Sequence, residues 1–236
     1  MVFRLHLARH GETLFNIRGQ LQGWCDSPLT PVGRAQALQL ADQFAEVDVS
    51  AILSSDLTRA RETADSVASR HPDVDRLELR DLREWHYGGW EGQPNAALWS
   101  HVFAAHGRNY GEPREWDILT ASGVDHVIDA IAASDSLRLA EDSLAVALRR
   151  DRAIATILAE GSRRGGELLV VSHGTMLASL IGELLPDAAP VRFPNVGVVS
   201  MDVDDSGPVG ASLQASWLST PSGPRAGSVG TIRRSA

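Results

Sequence analysis

Arg4-Leu-His-Leu-Ala-Arg-His-Gly-Glu-Thr-Leu-Phe-Asn16 is the stretch from which the fold can be read. Val2 to Ala8 is short, mostly apolar and runs almost at once into Gly11, the pattern of a buried strand that ends in a turn. Arg9 and His10 stand side by side at that end. Neighbouring side chains on a strand point to opposite faces, but a turn beginning here can bring a guanidinium and an imidazole to one rim. The pair suits a phosphate: arginine offers a planar fork of donors, and a histidine ring nitrogen can attack phosphorus. Taken alone, the motif could also be a strand end that happens to be polar.

The 236 residues, 43% hydrophobic, fit one sizeable domain over 1–218 with an insertion at about 93–142. The tail over 219–236 is rich in Ser, Gly, Pro and Arg and is expected to be poorly packed. No apolar run approaches the roughly 20 residues that span a bilayer. The N-terminal run is interrupted by Arg4, His6 and Arg9, so no signal peptide is expected and the cytoplasm is the expected compartment. One cysteine, Cys25, excludes an internal disulfide and a Cys-cluster metal site. A net charge of −8 argues against nucleic acid as a partner, although a local group of arginines can still hold an anion. All 22 Lys+Arg residues are arginine, which removes Schiff-base lysine chemistry and any P-loop.

Outward from the first strand, Gly23 to Leu29 reads as a loop, and Thr30-Pro31 as the start of an amphipathic helix over 31–46. Its apolar positions are Ala35, Leu38, Ala41, Phe44 and Ala45. Val49 to Leu53 is a second strand, and Ser54-Ser55-Asp56 is expected to cap a helix from about Leu57 to Arg70. Arg76 to Arg80 alternates like an edge strand, and Asp81 to Gly92 is a loop dense in glycine and aromatics. Residues 93–142 predict a mostly helical insertion lying over something. Leu144 to Leu158 predicts a helix with Ala147, Leu148, Ile154, Ala155 and Leu158 inward. Leu168 to Ser172 is a central strand, followed by a helix from Met176 to Leu185, with final strands at Val196–Val203 and Ala211–Leu218. Strands followed by helices three times over imply an α/β fold, a three-layer αβα sandwich with a mostly parallel central sheet. Sites in such sheets form beyond the carboxyl ends of the strands, where Arg9-His10, the Ser55-to-Arg61 turn and His173 would share one rim.

Five segments then resemble, in order, the motifs of the histidine phosphatase superfamily (phosphoglycerate mutase-like). They are Leu7 to Thr13 with Asn16, Gly23 to Thr30, Ser54 to Ala64, Leu82-Arg83-Glu84 with Gly88 to Gly92, and Val171 to Gly174. The resemblance implies that His10 is a nucleophile forming a phosphohistidine. Arg9, Arg59 and His173 would surround the phosphoryl oxygens, and Glu84 would protonate the leaving oxygen and then activate water. Such chemistry asks for positive charge around the equatorial oxygens and for a neutral imidazole held at its other nitrogen. Desolvation by Trp85, Tyr87 and Trp90 could favour the protonated form of the acid. Asn16 and the backbone around Gln22-Gly23 and Gly174-Thr175 could donate further bonds to the phosphate. No cofactor and no metal are expected. His6, His71, His86, His101, His106 and His126 lack metal-ligand spacing, and Arg61 and Glu91 read as structural.

The resemblance covers both mutases and phosphatases. The mutases carry a lysine after the acid loop, where this chain has Asn95, and paired arginines in the insertion, where it has isolated Arg108, Arg114 and Arg138. The Trp90-Glu91-Gly92 ending resembles the phosphatase branch, so a phosphatase is favoured over a mutase and over a catalytically silent binding protein on the same fold. The expected partner is a small phosphorylated molecule, with no nucleic acid and no membrane. A phosphoprotein substrate and self-association are left open.

Overall fold

The computed structural model describes residues 1–111, 115–120, 123–188, 191–204, 207–209, 213–216 and 230–232. In chain order these form β1 (Phe3–Arg9), α1 (Leu14–Arg18), α2 (Pro31–Phe44), β2 (Val49–Ser55), α3 (Thr58–Ala68) and β3 (Asp75–Leu79). Next come α4 (Asn95–Ala105), α5 (Glu115–Thr120), α6 (Asp125–Ser134), α7 (Ser143–Arg164), β4 (Glu167–Ser172) and α8 (Gly174–Leu184). The chain closes with β5 (Val198–Asp204), β6 (Gly207–Pro208), β7 (Leu213–Ser216) and β8 (Gly230–Ile232). The last of these lies within the stretch expected to be poorly packed; Arg114 and the side chain of Trp116 fall outside the description.

One sheet runs β3-β2-β4-β1-β5-β7-β8, with β6 paired to β5. Its β3, β2, β4 and β1 are mutually parallel, and β1 pairs antiparallel with β5. This is the expected αβα sandwich, mostly parallel at its centre. Strand periodicity divides the interior. Leu5, Leu7, Leu168 and Val170 join one apolar cluster with α7, α8 and the insertion helices; Ala8, Leu169 and Val171 join another with α2 and α3. The insertion is helical as expected, and Leu98, Trp99, Val102 and Phe103 of α4 are buried in the first cluster.

Three local expectations are corrected. Asp56 does not cap α3: it is taken by Arg83, whose Nε and Nη2 reach it at 2.7 and 2.6 Å. A bidentate charged pair outcompetes one backbone N–H, and the Thr58 N–H instead finds Asp26 Oδ2 at 2.5 Å. In α2 the inward face is Gly33, Gln36, Ala37, Leu40, Ala41 and Phe44, leaving Leu38 exposed. In α7 it is Val146, Arg149, Ala153, Ile157 and Gly161; Ile154 and Leu158 pack partly buried against the core as expected, while Leu148 and Ala155 are exposed. In both helices a polar side chain with buried partners occupies the core-facing stripe. Apolar counting alone assigns such a stripe to the wrong face.

Candidate active site

β1 delivers Arg9 as its last residue and His10 just beyond it, and β4 delivers His173 in the same way. The two strands are in register, Arg9 opposite Ser172, and His10 N donates to Ser172 O at 3.0 Å. Parallel pairing therefore brings the two imidazoles together, with ring centroids 5.2 Å apart and both side chains buried. His10 Nδ1 lies 2.7 Å from Gly11 O. A carbonyl only accepts, which places the proton on Nδ1 and leaves a lone pair on Nε2. Arg59 Nε donates to that nitrogen at 3.3 Å.

Arg59 reaches the site from the first turn of α3 and is wholly buried. Its Nη1 meets Cys25 O at 3.2 Å and Asp26 Oδ1 at 3.0 Å, and its Nη2 meets Gln22 O at 3.3 Å and Gly23 O at 2.8 Å. Arg9 Nη1 donates to Phe193 O at 2.7 Å. Among the described residues, its buried Nε and both ring nitrogens of His173 find no hydrogen-bond partner. Buried polar atoms are rarely left so in a core, and three around one imidazole mark a place built for a polar guest.

Burial pushes both His10 and His173 well below the ordinary imidazole range. The Arg59 and Arg9 charges push each further down, with His10 also acting on His173. Both rings are neutral at pH 7, which has a consequence for stability. The unfolded chain takes up protons on these groups through about 6.5, whereas the folded chain leaves them bare. Stability present above pH 6.5 is therefore lost as pH falls, by up to roughly 1.4 kcal/mol per pH unit for each ring. Urea midpoints between pH 8 and 5 are expected to show this slope, and His173→Gln is expected to flatten it. An unchanged slope would contradict it.

Glu84 sits in the 3-10 and loop segment after β3, and its carboxylate meets the N-terminus of α8. It accepts from Thr175 N at 3.1 Å, Met176 N at 2.9 Å, Trp85 N at 3.1 Å and the Thr175 hydroxyl. Donors meet this carboxylate directly, with the buried Tyr87 close enough to interact with it electrostatically. Thr175 N–H is thus spoken for. So is Gly23 N–H, which donates to Glu91 Oε2 at 3.0 Å instead of facing the rim. Gln22 contributes its carbonyl to Arg59, while its side chain is held between Thr13 Oγ1 at 2.6 Å and Ser27 Oγ at 3.0 Å. Asn16 Oδ1 completes the capping box of α1 with Thr13 N and accepts from Asn195 Nδ2 at 3.2 Å. Asn195 also donates to His10 O at 3.1 Å, linking Asn16 to the histidine backbone. Gly174, first residue of α8, lies against the Arg9 guanidinium.

Glu91, read from sequence as structural, is the anchor of the neighbouring loop: it also accepts from the N–H groups of Trp24 at 2.8 Å, Cys25 at 3.2 Å and Tyr87 at 3.1 Å. Burial and the nearby Glu91 carboxylate push the Cys25 thiol up to about 12, which leaves it no thiolate at neutral pH. A Cβ at Gly23 would fall under 3.0 Å from Glu91 Oε1 and from the Trp85 carbonyl, and 2.8 Å from the Tyr87 ring. Gly23→Ala is therefore expected to cost about 1–3 kcal/mol, read as a lower urea midpoint. An unshifted midpoint would mean that the loop gives way freely. Asn195 carries no motif of its own; Asp26 and Glu91 fall inside matched segments, but only their contacts reveal what they hold. Among the described residues, no group of three or more His, Cys, Asp or Glu side chains is placed to hold a metal ion, and no helix is long and apolar enough to cross a membrane.

The parallel strand ends and the facing imidazoles define an α/β protein whose sheet rim gathers histidine and arginine around one point. The chain belongs to the histidine phosphatase superfamily, branch 1, whose family model matches residues 5–215. It is 31% identical over 209 residues to the "Probable phosphoglycerate mutase GpmB" of Shigella boydii, covering 87% of each chain. A solved phosphoglycerate mutase from Bacillus anthracis is similar at a TM-score of 0.78 and 31% identity, over 86% of this chain and 89% of that one. A mycobacterial glucosyl-3-phosphoglycerate phosphatase is similar at 0.65 and 25% identity, over 88% and 95%. Mutases and phosphatases thus both stand among its relatives.

Proposed function

We propose that this protein is a phosphatase that hydrolyses a small phosphate monoester through a phosphohistidine on His10. One observation carries the reading: a neutral imidazole whose Nδ1–H is tied to Gly11 O turns its free nitrogen toward Arg59, beside His173 and Arg9. Nε2 attacks phosphorus in line, the ester P–O bond breaks, and the Glu84 carboxyl gives its proton to the leaving oxygen. The resulting carboxylate takes a proton from water as the water oxygen attacks phosphorus. The P–N bond then breaks, its electron pair returns to His10, and inorganic phosphate leaves. Through both steps Arg9, Arg59 and an N–H of His173 face the equatorial oxygens, where charge gathers. Asn16 and the Gly174 N–H at the start of α8 are the remaining candidates for phosphate contacts.

The names of two relatives favour a second reading, phosphoryl transfer between the hydroxyls of phosphoglycerate. Against it stand the absence of any lysine and the wide sequence spacing of Arg108, Arg114 and Arg138, where the mutases carry paired arginines in the insertion. The test is a panel of phosphorylated metabolites assayed for inorganic phosphate, with 3-phosphoglycerate included, with and without bisphosphoglycerate. Steady phosphate release that needs no bisphosphoglycerate is expected. Rapid interconversion of 2- and 3-phosphoglycerate without phosphate release would overturn the phosphatase reading.

A further inference from the structure

Arg149 is an arginine turned into the core from the middle of α7, 4% exposed and outside every sequence motif. All of its donor nitrogens are engaged. Nε and Nη2 grip the two oxygens of Glu141 at 2.8 and 2.6 Å. Nη1 meets the carbonyls of Asp81 and Arg83 at 3.1 and 2.6 Å, and Nη2 meets the carbonyl of Glu84 at 3.1 Å. Glu141 in turn accepts the His86 N–H at 2.9 Å through Oε2, and its own N–H donates to His86 O at 3.0 Å. Trp24 Nε1 donates to the same Glu84 carbonyl at 2.9 Å. The backbone on both sides of Glu84 is thus held by one charged pair, while the Glu84 carboxylate is held at the start of α8.

Desolvation offsets much of what a buried ion pair contributes, and although an apolar side chain would orphan the three carbonyls, stability gives only part of the reason for a charged pair here. Orientation gives a better one. Three carbonyls and a carboxylate arranged around one point require a planar fork of five N–H donors, which an ammonium cannot imitate. We propose that Arg149, with Glu141 as its counter-ion, is a positioning residue for Glu84: it fixes the 81–84 backbone so that the carboxyl meets the leaving oxygen of the substrate. The proposal rests on the reading of Glu84 as the acid, and the experiment below separates the two.

The measurement is the single-turnover rate of His10 phosphorylation with two esters. The leaving group of dinitrophenyl phosphate needs no proton; that of phenyl phosphate does. Glu84→Gln is expected to slow phenyl phosphate by about 10²–10⁴-fold and to spare dinitrophenyl phosphate. Arg149→Lys keeps the charge and loses the fork. It is expected to slow phenyl phosphate by roughly 10–100-fold, the range for groups that orient a reacting one, again sparing dinitrophenyl phosphate. In the Glu84→Gln background, Arg149→Lys is expected to add nothing, because it acts through Glu84. Equal slowing of both esters by Arg149→Lys, no slowing, or a further loss in the Glu84→Gln background would overturn the positioning role and leave Glu84 as the acid. If Glu84→Gln itself showed no bias between the esters, the acid assignment would fall instead. Should Arg149→Lys not fold, Glu141→Gln takes its place: it weakens the same grip and must show the same bias, with even slowing or none counting against the proposal.

Discussion

His10→Ala is expected to remove phosphatase activity almost completely, lowering kcat/KM on p-nitrophenyl phosphate by roughly 10⁴–10⁶-fold, the scale set by deleting a covalent nucleophile. The expectation follows from the ring's double constraint. Nδ1 is tied to the Gly11 carbonyl, and burial with two nearby guanidiniums keeps the ring uncharged, so Nε2 keeps its lone pair at neutral pH, where only a long bond from Arg59 Nε must be released for attack. Among the other groups described at this rim, the Cys25 thiol is held protonated and the chain has no lysine, while the neutral His173 ring lacks the carbonyl that fixes the bare nitrogen of His10. The companion measurement is rapid acid-free quenching followed by mass spectrometry, where the native protein gains a phosphoryl group on His10 and the variant gains none. A variant that folds, judged by its thermal transition, and still turns over esters at full speed would refute the phosphohistidine route. Absence of the phosphoryl adduct in an otherwise inactive native protein would favour a silent binding protein on this fold.

Arg59→Met is expected to damage both stability and catalysis. Arg59 is wholly buried and joins the carbonyls of Gln22, Gly23 and Cys25 to Asp26 and to His10 Nε2. Methionine fills much of the volume but satisfies none of these acceptors, and it leaves Asp26 without its buried cation. Asp26 is itself exposed, so the cost comes mainly from the orphaned loop carbonyls, about 1–3 kcal/mol for each that stays buried, read as a fall in the urea midpoint. At a temperature where the variant remains folded, loss of one guanidinium from the developing phosphoryl charge is expected to cost a further ~10²–10³-fold in kcat. Arg59→Lys separates the effects: it restores charge but not the fork, so kcat should recover in part while the 22–26 loop remains loosened. A methionine variant as stable and as active as the native protein would show that Arg59 neither builds the loop nor faces the phosphate.

Where the sequence reading succeeded, it worked from strand ends. Arg9, His10 and His173 are legible because a short apolar run stopped by a turn fixes where a parallel strand delivers its next residues. The Ser55-to-Arg61 turn is legible at the rim in the same way, and only the family resemblance singles out Arg59 within it. Failure came where a side chain chooses between partners. Asp56 lies in the right place to cap α3 and bonds Arg83 instead; the N–H groups of Gly23 and Thr175 lie in the right place for a phosphate and serve Glu91 and Glu84. Glu91 reads as structural and is so, but that it holds four backbone N–H groups is not legible in the sequence. Leu148 looked inward and is exposed, because the face it was assigned to belongs to Arg149.

By itself the sequence determined the αβα layers, the order of the elements and the chemistry available at one rim, because periodicity, turns and residue type act over a few neighbouring positions. Only the tertiary structure decided the protonation of His10, the grip of Arg149 on the acid loop and which donors remain unengaged. Each of these depends on burial in the completed fold and, beyond adjacent groups such as Gly11 O, on carbonyls or charges tens of residues away in the chain. A hydrogen bond is won by whichever partner the completed fold brings within about 3 Å.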